Sequence, residues 1–335
     1  MNQVAIADDV GGTLEVDGRE FIVTSHSIDG TFESCPRRFE FRHIYQQLPV
    51  NEIVGLAAEV GTALHEATQE WTKERDDDAS DIALLKWWPW ILEEKRRDAG
   101  LVDYKRTLEN ALMLLDRIRS DPFWDDWEVA RLPNGEHAIE LPWRINHTSL
   151  GSFPHPITGK AVFLATQGKI DWILRHRRER WRYMVCDLKT TILGEPAQQA
   201  SFRFSGQAGQ YGLVLSAAIG HDWQTKGMEV TYLVAEFGEY GEPEVRPMTH
   251  KLEPLEIWDA IESKNERLDR MIRMGNNGFW PRRSHGCAFY GTPCGFLDIC
   301  HRRDPEFLDK WFRFDRPDEF KKESRIYEPY WILEA

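Results

Sequence analysis

The stretch from Gly168 to Thr191, GKIDWILRHRRERWRYMVCDLKTT, limits the possible folds more than any other part of the chain. Two runs of alternating apolar and polar residues flank the charged segment RHRRER, the pattern of two antiparallel strands joined by an exposed tip. With pairing centred near Glu179, Asp171 and Asp187 face each other, one eight residues before the centre and the other eight after it. Side chains alternate along a strand, so Lys169 and Asp171 share a face with Asp187 and Lys189. Ile170, Trp172 and Leu174 then oppose Met184, Cys186 and Leu188 on the other face. Two opposed carboxylates repel and weaken a sheet. Either a hard divalent cation such as Mg²⁺ or Mn²⁺ lies between them, or the lysines neutralise them in a solvated cross-strand network; the spacing admits both. With a cation bound, Lys189 points at the same place, where it could orient a water, help deprotonate it, or offset charge on a phosphate.

The flanking sequence supplies a mixed α/β setting. Residues 14–23 read as a hairpin turning at Asp17-Gly18, and two helical pieces then meet at Cys35, because Pro36 interrupts the helix. A helix is expected over 52–75, carrying His65 beside the apolar face of Leu64, Ala67 and Trp71. Two amphipathic helices separated near Gly100 fill 80–120, so that 76–130 reads as a helical insertion. Strands follow at 137–145, 161–174, 181–188 and 228–236, with a helix over 197–219 before the last. An amphipathic helix at 254–275 precedes a cysteine-bearing segment, 276–303, and the whole of 1–335 reads as one domain.

Composition excludes several classes. A formal charge of −13 rules out a wholly basic nucleic-acid coat, although Lys95 to Arg97, the arginines 175, 177, 178 and 180, and Arg282-Arg283 form local basic groups. There is no apolar run long enough for a membrane span and no secretory leader pattern, so a cytoplasmic protein without membrane partners is expected. No phosphate-binding G-x-x-x-x-G-K-[ST] motif occurs, so the chain is not itself a helicase. Five cysteines in a chain this large do not make a disulfide scaffold. Three of them, Cys287, Cys294 and Cys300, cluster with spacing C-x6-C-x5-C, which leaves open an iron-sulfur cluster, a zinc site and free thiols.

Five features recur in a fixed order: Cys35-Pro36, the helical Gly61-Thr-Ala-Leu-His65, Gly168-Lys-Ile-Asp171, Asp187-Leu188-Lys189, and Gln207 with Tyr211 one helical turn later. With the late cysteines they resemble the PD-(D/E)XK nuclease superfamily, and within it the RecB-like branch with an iron-sulfur cluster. That branch includes AddB-type recombination proteins and the CRISPR-associated and phage RecB-like exonucleases. The resemblance spans Ser25 to Cys300 apart from 76–130. It implies a restriction-endonuclease-like core, a mixed central sheet flanked by helices, with a C-terminal segment bound to the cluster. It assigns the Mg²⁺ or Mn²⁺ ligands to His65, Asp171, Asp187 and the Leu188 carbonyl, and catalysis to Asp171, Asp187 and Lys189 with Gln207 and Tyr211, which would contact DNA phosphate or hold the active-site strand. Glu140, on the preceding strand, is a further metal carboxylate or a supporting one. Cys35, Cys287, Cys294 and Cys300 would hold a four-iron four-sulfur cluster, although the late spacing departs from the commonest one in the family; Cys186 is left over as core. The implied activity is that of a DNA exonuclease in replication, recombination, repair or phage genome processing, working alone or with a separate helicase or recombinase. The alternatives are a structure-specific endonuclease and a catalytically silent DNA-binding subunit stabilised by the cluster.

Overall fold

Asp17 and Gly18, at φ 50° and 74°, form the two-residue turn between β1 (Thr13–Val16) and β2 (Arg19–Thr24). Two left-handed residues in succession are what the favoured hairpin turn requires. Ser25 caps α1 (His26–Ser34) by accepting from the Ile28 amide, and Pro36 opens α2 (Pro36–Phe39), where its missing N–H is harmless. Cys35 is the extended joint between them. The computed structural model describes residues 13–45, 48–49, 56–97, 106–156, 158–191, 206–237, 242–284, 287–289, 292–297, 300, 312–313 and 331–334.

The remaining helices are α3 (Leu56–Glu74), α4 (Asp77–Arg97), α5 (Leu108–Ser120), α6 (Phe123–Asp126), α7 (Gly206–Ile219), α8 (Trp223–Lys226) and α9 (Pro254–Asn277). The strands that follow are β3 (Leu48–Pro49), β4 (Trp127–Val129), β5 (Ile139–Asn146), β6 (Phe153–Pro154), β7 (Ala161–His176), β8 (Tyr183–Thr191), β9 (Met228–Glu236) and β10 (Glu244–Leu252). The expected helix starts at 52 and 197 and the break near Gly100 lie outside the described residues.

Packing divides the chain into two units: residues 1–53, 142–168 and 262–335, and residues 54–141 and 169–261. In the first, β2 runs parallel to the start of β7, from Glu20↔Val162 to Thr24↔Thr166, and β6 pairs antiparallel with the same strand. Its core joins Ile22, Phe32, Phe39, Phe153, Leu164, Leu268 and Trp280. Inside it, Lys264 is fully enclosed and satisfied by Asp29, at 2.6 and 2.8 Å, and by Thr24 at 3.3 Å. A buried ammonium is tolerated only with such partners.

The second unit holds a mixed sheet. The end of β7 pairs antiparallel with β8 and with β4, β8 runs parallel to β9, and β9 pairs antiparallel with β10. The apolar face expected for the central hairpin is buried: Trp172, Leu174, Met184, Cys186 and Leu188 share a cluster with Leu64 and Trp71 of α3, Leu84 and Trp88 of α4, and Leu114 and Ile118 of α5. The stretch 76–130 therefore contributes to this core. Strand β10 is absent from the expectations above because Pro247 interrupts a weakly alternating run; proline is accommodated at a strand that pairs on one side. Helix α7 approaches the first turns of α9 closely enough that a Cβ on Gly209 would meet Ala260 Cβ at 2.5 Å.

Candidate active site

The register of β7 and β8 aligns the two aspartates. The ladder runs Arg175↔Tyr183, Leu174↔Met184, Ile173↔Val185, Trp172↔Cys186, so the next step reaches Asp171 and Asp187, as the symmetric reading about Glu179 requires. At that step the Leu188 amide donates instead to Asp171 Oδ2 at 2.9 Å, inserting a carboxylate where a backbone acceptor would otherwise stand. Both aspartates are buried.

Helix α3 brings His65 to the same place, its Nε2 lying 2.5 Å from Asp171 Oδ2. Gly61, one turn earlier, permits this approach: a Cβ there would stand 2.8 Å from Thr190 Oγ1 on β8. Glu140 completes the group from β5. One ligand atom from each of His65, Glu140 and Asp171 lies within 4.8 Å of the other two, a mixed nitrogen and oxygen set suited to a hard divalent ion. The expected ligands were His65, Asp171, Asp187 and the Leu188 carbonyl, with Glu140 as a further or supporting carboxylate. Asp187 adjoins the group but turns to Lys189, whose Nζ is 2.6 Å from Oδ2, and to Tyr211, whose hydroxyl donates to Oδ1 at 3.2 Å. Tyr211 is fully buried on α7, with Gln207 one turn before it and half-buried.

Gln69 was missing from the sequence reading. Its Nε2 donates to Glu140 Oε1 and lies 3.0 Å from His65 Nδ1, to which it can donate when that ring nitrogen carries no proton. The available signal was its spacing: four residues after His65 on a helix, it shares the histidine's face. Lys169 Nζ donates to the other Glu140 oxygen. Glu140 itself has φ 52°, a left-handed backbone that a side chain adopts at a cost.

The charges are mutually dependent. Burial works against a charged His65, yet the Asp171 and Glu140 carboxylates outweigh it and raise the imidazole to about 10. Burial pushes Glu140 up, and His65 and Lys169 more than reverse this, holding it at about 2. Asp187 is raised to about 6 by burial, Lys189 opposing and Asp171 adding to the rise. Burial disfavours the Lys189 ammonium, but Asp187 and Asp171 raise it above the usual lysine range. Three carboxylates thus face three cationic groups, His65, Lys169 and Lys189.

The cysteines separate into two groups. Cys186 is buried on the apolar face of β8, where burial pushes its thiol well up. In the first unit, burial raises the thiols of Cys294 and Cys300, and both also feel Cys35 and Cys287. Arg38 near Cys294, and Arg37 and Arg282 near Cys300, pull the other way.

A buried pair of aspartates on adjacent strands, a lysine two residues past the second and a histidine delivered by a preceding helix define a nuclease-type carboxylate site. The model of the PD-(D/E)XK nuclease superfamily matches residues 24–301, and the chain belongs to that superfamily. Among solved structures, it is similar to a candidate exonuclease from Eubacterium rectale, at 11% identity over 84% of this chain and 87% of that one, with a TM-score of 0.42. None of the curated proteins matches the sequence. Among the described residues, no helix is long and apolar enough to cross a membrane.

Proposed function

We propose that the protein is a metal-dependent DNA exonuclease of the RecB-like branch. The observation that carries this reading is the convergence of His65, Glu140 and Asp171 beside Asp187 and Lys189. A Mg²⁺ or Mn²⁺ ion would be held by His65, Glu140 and Asp171, with Asp187 and the Leu188 carbonyl as the further ligands that the family pattern implies. The chemistry such an ion supplies is Lewis acidity toward a phosphodiester and acidification of water. Gln69 and Lys169 fix the Glu140 carboxylate, and Gln69 would also hold the neutral His65 ring that an ion requires. Lys189, held at Asp187 and kept charged there, presents an ammonium to the negative charge that grows on the phosphate as the bond to the leaving oxygen lengthens. Tyr211 keeps Asp187 in that orientation.

The same reading assigns Cys35, Cys287, Cys294 and Cys300 to a four-iron four-sulfur cluster. It is supported by the electrostatic proximity of the four thiols and by Arg37, Arg38 and Arg282, whose charges suit an anionic thiolate cluster. A separate helicase or recombinase would supply DNA ends.

The test is degradation of linear single- and double-stranded DNA, labelled at either end, beside a covalently closed single-stranded circle, with Mg²⁺ or Mn²⁺. Loss of label from one end, resistance of the circle and inactivity of Lys189→Ala are expected. Cutting of the circle would make the enzyme an endonuclease, and inactivity of folded, metal-supplied protein would refute catalysis.

A further inference from the structure

The tip of the central hairpin, residues 175–182, carries five arginines and one glutamate in a chain of net charge −13. Three of the arginines are committed to holding the tip. Arg175 donates to Glu128 at 2.6 Å, Arg177 lies 3.6 Å from the same carboxylate, and Arg182 makes a two-pronged pair with Glu229 at 2.8 and 3.0 Å. The backbone is equally fixed: Arg177 donates to the Asp126 carbonyl, Glu179 to His176 Nδ1 and Arg182 to the Glu179 carbonyl, each at 2.8 or 2.9 Å. Arg182 also lies over the Trp127 ring at 5.2 Å. The tip is a rigid platform.

The rest of the tip is exposed. Arg178 and Arg180 are exposed and have no ion-pair partner among the described residues. Trp181 is 76% exposed and has no ring contact among the described residues, whereas the partly exposed Trp258 packs edge-on against Trp223 at 5.3 Å. An exposed indole following two exposed arginines in the chain offers a stacking face with cations nearby. That is the chemistry of an unpaired base and its flanking phosphates.

We propose that this tip is a single-stranded DNA contact, in which Trp181 stacks on an unpaired base and Arg178 and Arg180 pair with the adjacent phosphates. The inference rests on the reading of DNA as substrate and adds to it where the strand lies and that it is unpaired there. From Trp181 to Asp187 the chain runs six residues, about 20 Å at the rise of a strand. A nucleic-acid strand with its bases stacked at about 3.4 Å covers that distance in about six nucleotides. Oligonucleotides longer than this reach both places, and shorter ones do not.

The test measures binding in EDTA, so that no cleavage intervenes, by anisotropy of fluorescein-labelled dT20 and dT4 with the full-length protein. Trp181→Ala should weaken dT20 about tenfold. Trp181→Phe should recover part of the loss, and Arg178→Ala with Arg180→Ala should weaken dT20 and flatten its salt dependence. The parent should bind dT4, which is too short to reach both places, more weakly than dT20. Ile82→Ser, at another exposed apolar position, is the control and should bind dT20 as the parent does. Trp181→Ala binding dT20 with parental affinity, or the parent binding dT4 as tightly as dT20, would overturn the proposal. Because the readout is binding, a protein that proves unable to cleave DNA can still lose dT20 affinity with Trp181. An active nuclease indifferent to Trp181 would sink this inference alone.

Discussion

Gly168, the first residue of the Gly-x-x-Asp motif, gives a prediction whose sign depends on geometry. Replacing a strand glycine with alanine ordinarily stabilises a protein by roughly 0.4–1 kcal/mol, through the entropy of the unfolded chain. At Gly168 a Cβ would lie 2.6 Å from Cζ2, 2.9 Å from Cε2 and 3.3 Å from Nε1 of Trp143. Carbon atoms prefer separations of about 3.5–4.0 Å, so the indole or the strand must move by about 1 Å. Trp143 is 2% exposed and has no room to swing outward. Overpacking on this scale costs about 1–3 kcal/mol, which exceeds the entropic gain. Gly168→Ala should therefore lower the thermal midpoint by several degrees, at about 2–4 °C per kcal/mol in a domain of this size.

A second substitution isolates the cause. Trp143→Phe removes the benzo edge that the new methyl group would strike, and with it an indole N–H that is buried without a hydrogen-bond partner among the described residues. Alone it should cost about 1–2 kcal/mol for lost burial. Combined with Gly168→Ala it should cost less than the sum by about 1–2 kcal/mol, read from urea unfolding of the four members of the cycle. Parental or greater stability of Gly168→Ala, or strict additivity in the cycle, would show that the indole is not what excludes a side chain from this position.

His147 is 4% exposed, and burial, with the Lys264 charge adding, lowers its imidazole to about 3. Its folded value lies below the unfolded value of about 6.5, so its contribution is complete above that pH and is lost as pH falls toward 3, at up to about 1.4 kcal/mol per unit. Urea unfolding at pH 7 and pH 5 should show the loss, and a His147→Gln protein with the same slope would refute it. Cys300→Ala should release iron and acid-labile sulfide and lower the thermal midpoint, because the cluster would close a chain loop of more than 250 residues back to Cys35; an unchanged melt would contradict this. Glu140→Gly relieves a left-handed backbone that Glu140→Ala keeps, so the glycine variant should be more stable by about 1 kcal/mol, while calorimetric Mn²⁺ affinity falls in both. An alanine variant as stable as the glycine one would show that the residue carries no strain.

The central hairpin was legible because a period of two and a charged tip fix a register without help from the rest of the chain. The pairing Trp172↔Cys186 and the burial of Trp172, Leu174 and Met184 follow from local pattern alone. His65 was legible only through its place in an ordered set of motifs, since one histidine on a helix carries little information. The Gln69 bond to Glu140 and the Tyr211 bond to Asp187 depend on how α3 and α7 dock onto the sheet, since their partners lie 71 and 24 residues away. Strand β10 was hidden for the opposite reason. Its local pattern, with Pro247 inside it, argues against a strand, and nine paired residues along β9 override that preference.

Glu140 and Gly168 share one further lesson about the backbone near such sites. The motif glycine looks as though it were needed for freedom of φ, yet Gly168 has no left-handed angle; what it provides is the space that the Trp143 ring occupies. The left-handed angle falls instead on Glu140, a residue whose chemistry gives no hint of it. That conformation persists because Gln69 and Lys169 each bind one oxygen of its carboxylate, so the backbone cost is offset by side-chain bonds lying inside the site itself. An arrangement of this kind links the strain to the metal group. Both Glu140 variants lose the carboxylate, but only glycine also removes the backbone cost, which is why the stability and the Mn²⁺ affinity of the two should part company.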